Sequence, residues 1–119
     1  MKGDVDVAAF VEGVINLRRW MQMRAPRVNS EIAQDLLVLV AHGTMVGQPV
    51  SVKAVITELP HSEAGVRKQL ALCRSEGWVE YRVHPGDGRV RVLTASRKLL
   101  DFFKHYHDAT KQHLHATLI

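Results

Sequence analysis

The chain has 119 residues, 46% of them hydrophobic, and a formal net charge of +4, the size of one compact domain with a core and a balance that suits a polyanionic partner. The single cysteine, Cys73, excludes an internal disulfide framework. No apolar run approaches the roughly 18 residues that span a bilayer, and the acidic, amphipathic N-terminus does not read as a signal peptide, so a cytoplasmic protein with no membrane partner is expected.

Asp4 is placed to cap a first helix, in which Phe10, Val14, Leu17 and Met21 form one apolar stripe, widened by Val7 and Trp20. Arg18, Arg19 and Arg24 load its C-terminal end, where the helix dipole favours cations, and Pro26 stops it. Asn29 or Ser30 caps a second helix whose apolar residues, Ile32 to Val40, cover more than half its circumference, so it is expected at the centre of the fold. Gly43 reads as its end, and Thr44 to Val50 as a loop with a short edge strand near Val50.

Ser51 caps a short helix with Val52, Val55, Ile56 and Leu59 inward, and Leu59-Pro60-His61 is a tight turn. Ser62 caps the next helix. Its inner face carries Val66, Leu70 and Cys73, its outer face carries Arg67, Lys68, Ala71 and Arg74, and Gly77 closes it. Trp78 to His84 alternates, Pro85-Gly86-Asp87-Gly88 turns, and Arg89 to Leu93 alternates back, a two-stranded hairpin. Thr94 is expected to cap a last helix with Leu99, Phe103 and Tyr106 on one stripe and Leu100 and Phe102 beside it, continuing to Leu114 and Leu118. The class is mainly α with a small β-hairpin (α+β).

Helix, turn, second helix and hairpin in that order make a winged helix-turn-helix. Ser62, Val66, Arg67, Lys68, Leu70, Cys73, Gly77, Trp78 and Val79, followed by Asp87, Arg89 and Leu93-Thr94, resemble the recognition helix and wing of MarR-type (multiple-antibiotic-resistance regulator) transcription factors. Motifs cover roughly Val50 to Asp101, and helix order covers the whole chain. The chain is shorter than is usual for that family, about one helix lean at its end, and Gly65 stands where serine or threonine is more common. The resemblance implies one domain over 1–119: a dimerisation helix in 1–28, the winged helix in 29–94 and a second dimerisation helix in 95–119. It also implies a bacterial, homodimeric regulator that binds double-stranded DNA.

The residues give that expectation its chemistry. Recognition helix 62–76 is expected in the major groove, where Arg67, Lys68 and Arg74 can reach guanine O6 and N7. Ser62 and its helix N-terminus suit a phosphate, and small Ala64 and Gly65 permit close approach. In wing 82–92, Arg89 is expected to probe the minor groove with Asp87 orienting it, while Arg82 and Arg91 meet phosphates. Lys53 begins the helix that crosses the backbone in such folds. Phe10, Val14, Trp20, Phe102, Phe103, Tyr106 and Leu114 are the expected dimer interface.

The bland alternatives are a solvated basic face and a wing with an incidental ion pair. A winged helix that binds a partner protein, without DNA, is the rival function. A third is a ligand-responsive repressor with a small-molecule effector between the terminal helices and the head, lined by Trp20, Leu36 or Phe103. His105, His107, His113 and His115 form pairs at i, i+2, which face different sides of a helix, so no metal is expected. Cys73 lies on an inward stripe and reads as an inert core thiol. No nucleophile–base pair, paired carboxylates or phosphate loop is present, so neither an enzyme nor a cofactor is expected.

Overall fold

The computed structural model describes the backbone of residues 2–28 and 30–118 and the side chains of residues 7–28 and 30–112. Asn29, and the side chains of Asp4, His113, Leu114, His115 and Leu118, lie outside the described residues. The elements run α1 (Lys2–Arg24), α2 (Glu31–Met45), β1 (Val50–Ser51), α3 (Val52–Glu58), α4 (Glu63–Ser75), β2 (Val79–His84), β3 (Asp87–Ala95) and α5 (Arg97–Leu118). The mainly helical class with a small sheet is as expected. No helix among the described residues is long and apolar enough to cross a membrane.

The chain divides into two compact units. One comprises Val28–Leu100, the other Met1–Arg27 with Asp101–Ile119. The Val28–Leu100 unit is the winged helix. Its core holds Val28, Leu36, Val40, Val55, Val66, Leu93 and Leu99, each at most 2% exposed. The centre of that core is α2, as its wide apolar surface dictates.

Short polar side chains set where the helices begin. Ser30 Oγ accepts from the Ala33 amide at 3.1 Å, Ser51 Oγ from Ala54 at 3.0 Å and Ser62 Oγ from Gly65 at 3.1 Å, each satisfying a donor that the first helical turn leaves open. Helix α1 begins at Lys2, so Asp4 sits inside its first turn and not at its cap. Helix α5 begins one strand residue pair later than Thr94 suggests. Thr94 pairs with Glu80 inside the sheet, and buried Ser96 caps α5, accepting from Leu99 N at 3.2 Å and donating to Trp78 O at 3.0 Å.

Two glycines end helices in the same way. At α4, Gly77 adopts φ +79°, its amide reaches Arg74 O, and the Trp78 amide reaches Cys73 O, the double closure that a residue with positive φ makes possible. At α2 the closing residue is Gly47, at φ +74°, with Gly47 N on Thr44 O and Gln48 N on Gly43 O. Gly43 lies buried within the helix. It is small for another reason: a Cβ there would stand 2.7 Å from Gln48 O.

The hairpin belongs to a three-stranded antiparallel sheet of order β1-β3-β2. The short edge strand expected near Val50 pairs with β3, Val50 opposite Leu93. Pro85 and Gly86 alone form the turn, because Asp87 already pairs with His84. The next pair is Val83 with Arg91, so Gly88, Arg89 and Val90 make an irregularity on β3. Thr44 Oγ1 ties helix to sheet, donating to Val40 O at 3.0 Å and accepting from Ala95 N at 2.8 Å.

In the other unit, Leu17 and Ala109 are buried with Trp20 packed against them. Phe102 is buried too, its ring centroid 5.5 Å from Trp20 and 5.4 Å from Phe103, with Tyr106 edge-on to Trp20 at 5.8 Å. On the described part of α1, Val7, Phe10, Val11 and Ile15 are exposed.

Candidate nucleic-acid interface

Helix α4 presents two chemically distinct faces, as its spacing requires. Val66, Leu70 and Cys73 are buried, whereas Ser62, Ala64, Arg67, Lys68, Ala71 and Arg74 are exposed. Arg67 leans on Glu63 one turn back, Nη2 to Oε1 3.2 Å, both side chains more than half exposed. Such a surface pair is worth at most about 1 kcal/mol, so Arg67 can exchange it for another acceptor. The Ser62 oxygen is taken by the Gly65 amide, and its hydroxyl hydrogen remains free to donate.

Gly65 differs from its expected part. A Cβ there would meet Ile32 Cδ1 and Ser62 Oγ, both at 3.0 Å. Its smallness serves the packing of α4 on α2, and of the Ala64–Gly65 pair only Ala64 is exposed on the outer face. Lys53 is exposed on the first turn of α3.

The hairpin tip is held by local bonds. His84 Nδ1 accepts from Gly86 N at 2.9 Å, and Asp87 Oδ1 accepts from Arg89 N at 3.0 Å. Asp87 Oδ1 also lies 3.6 Å from Arg89 Nε, while the Arg89 side chain is 93% exposed. Arg82 pairs with Glu80 at 3.1 Å. Arg82 and Arg91 do not oppose one another: Arg82 faces Val92, and Arg91 faces Val83.

Sequence spacing gave no sign of Tyr81 as a partner of these cations. The Arg74 guanidinium stacks on its ring at 3.8 Å from the centroid, and that of Arg91 lies 5.5 Å away. The contact joins the last turn of α4 to both strands, a proximity that only the fold creates. Lys98 behaves similarly at the sheet's base, 4.2 Å over Trp78 and donating to Glu76 O at 2.7 Å.

A third grouping also escaped the sequence. His61 Nε2 is 2.7 Å from Asp35 Oδ2, tying the turn before α4 to α2. With Glu31 these side chains bring their ligand-type atoms within 4.8 Å of one another. Of the histidines considered for metal, His105 and His107 are exposed on α5. Beside the same turn lies an open cleft of about 670 Å³, lined by Asp35, Val38, Leu39, His42, Leu59 and Pro60. Leu36, expected to line an effector pocket, is fully buried in the core. Cys73 is buried as expected, and desolvation pushes its thiol up to about 11.

No protein-family model matches the sequence, and no curated protein matches it. Solved structures do. One is BpsR of Bordetella bronchiseptica, whose DNA binding is regulated by 6-hydroxynicotinic acid, at 15% identity and TM-score 0.53, covering 98% of this chain and 79% of that one. Another is a MarR-like transcription regulator of Bacillus cereus at 12% identity and TM-score 0.53, covering 99% of this chain and 83% of that one. The chain thus has the winged-helix fold of MarR-like transcription regulators.

Proposed function

We propose that this protein is a homodimeric, sequence-specific DNA-binding regulator of transcription in the bacterial cytoplasm, and not an enzyme. One observation carries the reading. The exposed face of α4 and the hairpin beside it bear Arg67, Lys68, Arg74, Arg82, Arg89 and Arg91, on a helix whose opposite face is fully committed to the core. Arg67 and Lys68 read base edges in the major groove, Arg89 enters the minor groove with Asp87 steering it, and Lys53 and Ser62 contact phosphates. The dimer forms through Phe10, Val14 and the exposed α1 stripe, with the remaining surfaces of Trp20, Phe102, Phe103, Tyr106 and Leu114. Two-fold symmetry then sets the recognition helices one DNA turn apart, roughly 34 Å.

Anisotropy with random-sequence duplexes across salt, followed by selection from the bound pool, tests this. Steep salt dependence and an enriched near-palindrome are expected. Arg67→Ala lowers affinity for the selected site by about 1–3 kcal/mol and relaxes one base position. Retained selectivity in Arg67→Ala overturns the assignment of Arg67, and absence of binding at low salt overturns DNA binding itself, in favour of a protein partner.

A second reading concerns regulation. BpsR responds to a small aromatic acid, and the cleft beside the turn into α4 offers apolar walls from Val38, Leu39, Leu59 and Pro60 with Asp35 and His42 as polar groups. A small-molecule effector seated there would act next to the recognition helix. Thermal-shift screening of aromatic acids and amines, repeated with Leu39→Trp to fill the cleft, tests it.

A further inference from the structure

Three of the exposed arginines are already partnered by an acid close in sequence: Arg67 by Glu63, Arg82 by Glu80 and Arg89 by Asp87. Arg74 and Arg91 differ. Among the described residues neither is paired with a carboxylate, and both converge on the ring of Tyr81, at 3.8 and 5.5 Å from its centroid. An aromatic face attracts a guanidinium without neutralising it. Two like charges are thus held near one ring with no acid between them, at the seam between the end of α4 and the sheet.

We infer that Arg74, Arg91 and Tyr81 form a single phosphate-binding seat, whose ligand is one backbone phosphate of duplex DNA. Tyr81 is the positioning residue. The Arg74 guanidinium carbon lies 3.8 Å from the centroid of the Tyr81 ring, a contact through the ring face that takes up no N–H donor and leaves the guanidinium able to donate to phosphate oxygens. Arg91 supplies the second cation from β3, and the phosphate relieves the repulsion between the two. Arg74 therefore anchors the DNA backbone and does not read bases. The seat rests on the DNA-binding reading above and sharpens it, because it fixes the wing and the recognition helix to the same point of the duplex.

The test compares Tyr81→Leu, Tyr81→Phe and Arg91→Gln with the unaltered protein, by anisotropy on a selected duplex and a random one from about 50 to 300 mM salt. Tyr81→Leu is expected to weaken both duplexes alike, on the order of tenfold at 150 mM, and to shallow the log–log salt slope by about 0.9 to 1.8. Tyr81→Phe, which keeps the ring, stays within about twofold of the parent. Arg91→Gln, on an exposed strand position, loses about 0.9 of slope with the fold intact, and adding it to Tyr81→Leu costs less than it does alone. Parent-like affinity and slope in Tyr81→Leu overturn the seat, as does a Tyr81→Phe variant as weak as Tyr81→Leu. If Tyr81→Leu does not fold, a parent-like slope in Arg91→Gln overturns it.

If the parent protein binds neither duplex at low salt, the DNA reading fails and tripolyphosphate decides the seat. The Arg74 and Arg91 side-chain Nε–H resonances are then expected to shift together in the parent and not in Arg91→Gln for the remaining arginine. Independent or absent shifts overturn it.

Discussion

The two units of the chain use their hydrophobic residues in opposite ways. In Val28–Leu100 the large aliphatic residues of α2, α4 and β3 close on one another, and Leu36, Val66 and Leu93 are fully buried within a single copy. In the unit built from the chain ends, Leu17, Phe102 and Ala109 are buried while Val7, Phe10, Val11 and Ile15 stay in water. Val7 precedes Phe10 and Val11 by three and four residues, and Val11 precedes Ile15 by four, so all four fall on one side of α1. The head closes its core within one copy, although Val38, Met45, Val46 and Val83 stay exposed on its surface. The terminal unit, as a single chain, does not, and a contiguous uncovered stripe is the ordinary mark of an interface.

The contrast can be broken in order of size. Leu93→Ala in the head should lower the unfolding free energy by about 3 kcal/mol in urea titration. A loss below about 1 kcal/mol would mean that the core is looser than its burial implies. Val11→Asp in the uncovered stripe should leave that free energy nearly unchanged while weakening self-association at least about 100-fold, roughly 2.7 kcal/mol, by sedimentation equilibrium. An unchanged assembly mass removes α1 from the interface.

Smaller effects sharpen the same comparison inside the head. Gly43→Ala sets a methyl against the Gln48 carbonyl and should cost about 1–3 kcal/mol, whereas Gly88→Ala, with nothing within 4 Å, should stay within about 0.5 kcal/mol. Equal costs at the two glycines would show that the α2 end can relax. Cys73 provides the mildest test. With its thiol pushed up to about 11, it should resist alkylation at pH 8 until the protein unfolds. The unfolded thiol titrates near the ordinary 9.0, so its contribution to stability is complete below pH 9 and fades as pH rises toward 11. Fast alkylation of the folded protein would place Cys73 outside the core.

Much of the fold was legible because short-range signals carry it. Ser51, Ser62 and Gly77 each act on backbone groups within a few residues, and the alternation of β2 and β3 is a local pattern. Two of the misreadings came where a neighbouring residue could do the same work. Thr94 and Ser96 are both plausible caps, and only the pairing of Thr94 with Glu80 across the sheet decides for Ser96. Gly43 and Gly47 both follow an apolar run. The first answers a steric demand from Gln48 that exists only once the loop has folded back.

The basic face of α4 was legible for the same local reason, since helical spacing sorts Arg67 and Lys68 from Val66 and Leu70. What joins Arg74 to Tyr81, or His61 to Asp35, was not. Those contacts cross between elements, and in the second case 26 residues separate the partners. A single sequence gives no measure of such distances.

Ser96 bears on how freely this chain can change over generations. One hydroxyl begins α5 at the Leu99 amide and holds the Trp78 carbonyl just ahead of β2, in a position that is 8% exposed. Alanine would lose both bonds and strand the Leu99 amide, the Trp78 carbonyl keeping only the Ser96 amide, and threonine would add a methyl to a filled site. Substitutions on the outer face of α4 can retune what the protein binds without touching the core. Ser96 has no such latitude, so descendants of this sequence should vary at Arg67 and Lys68 long before they vary there.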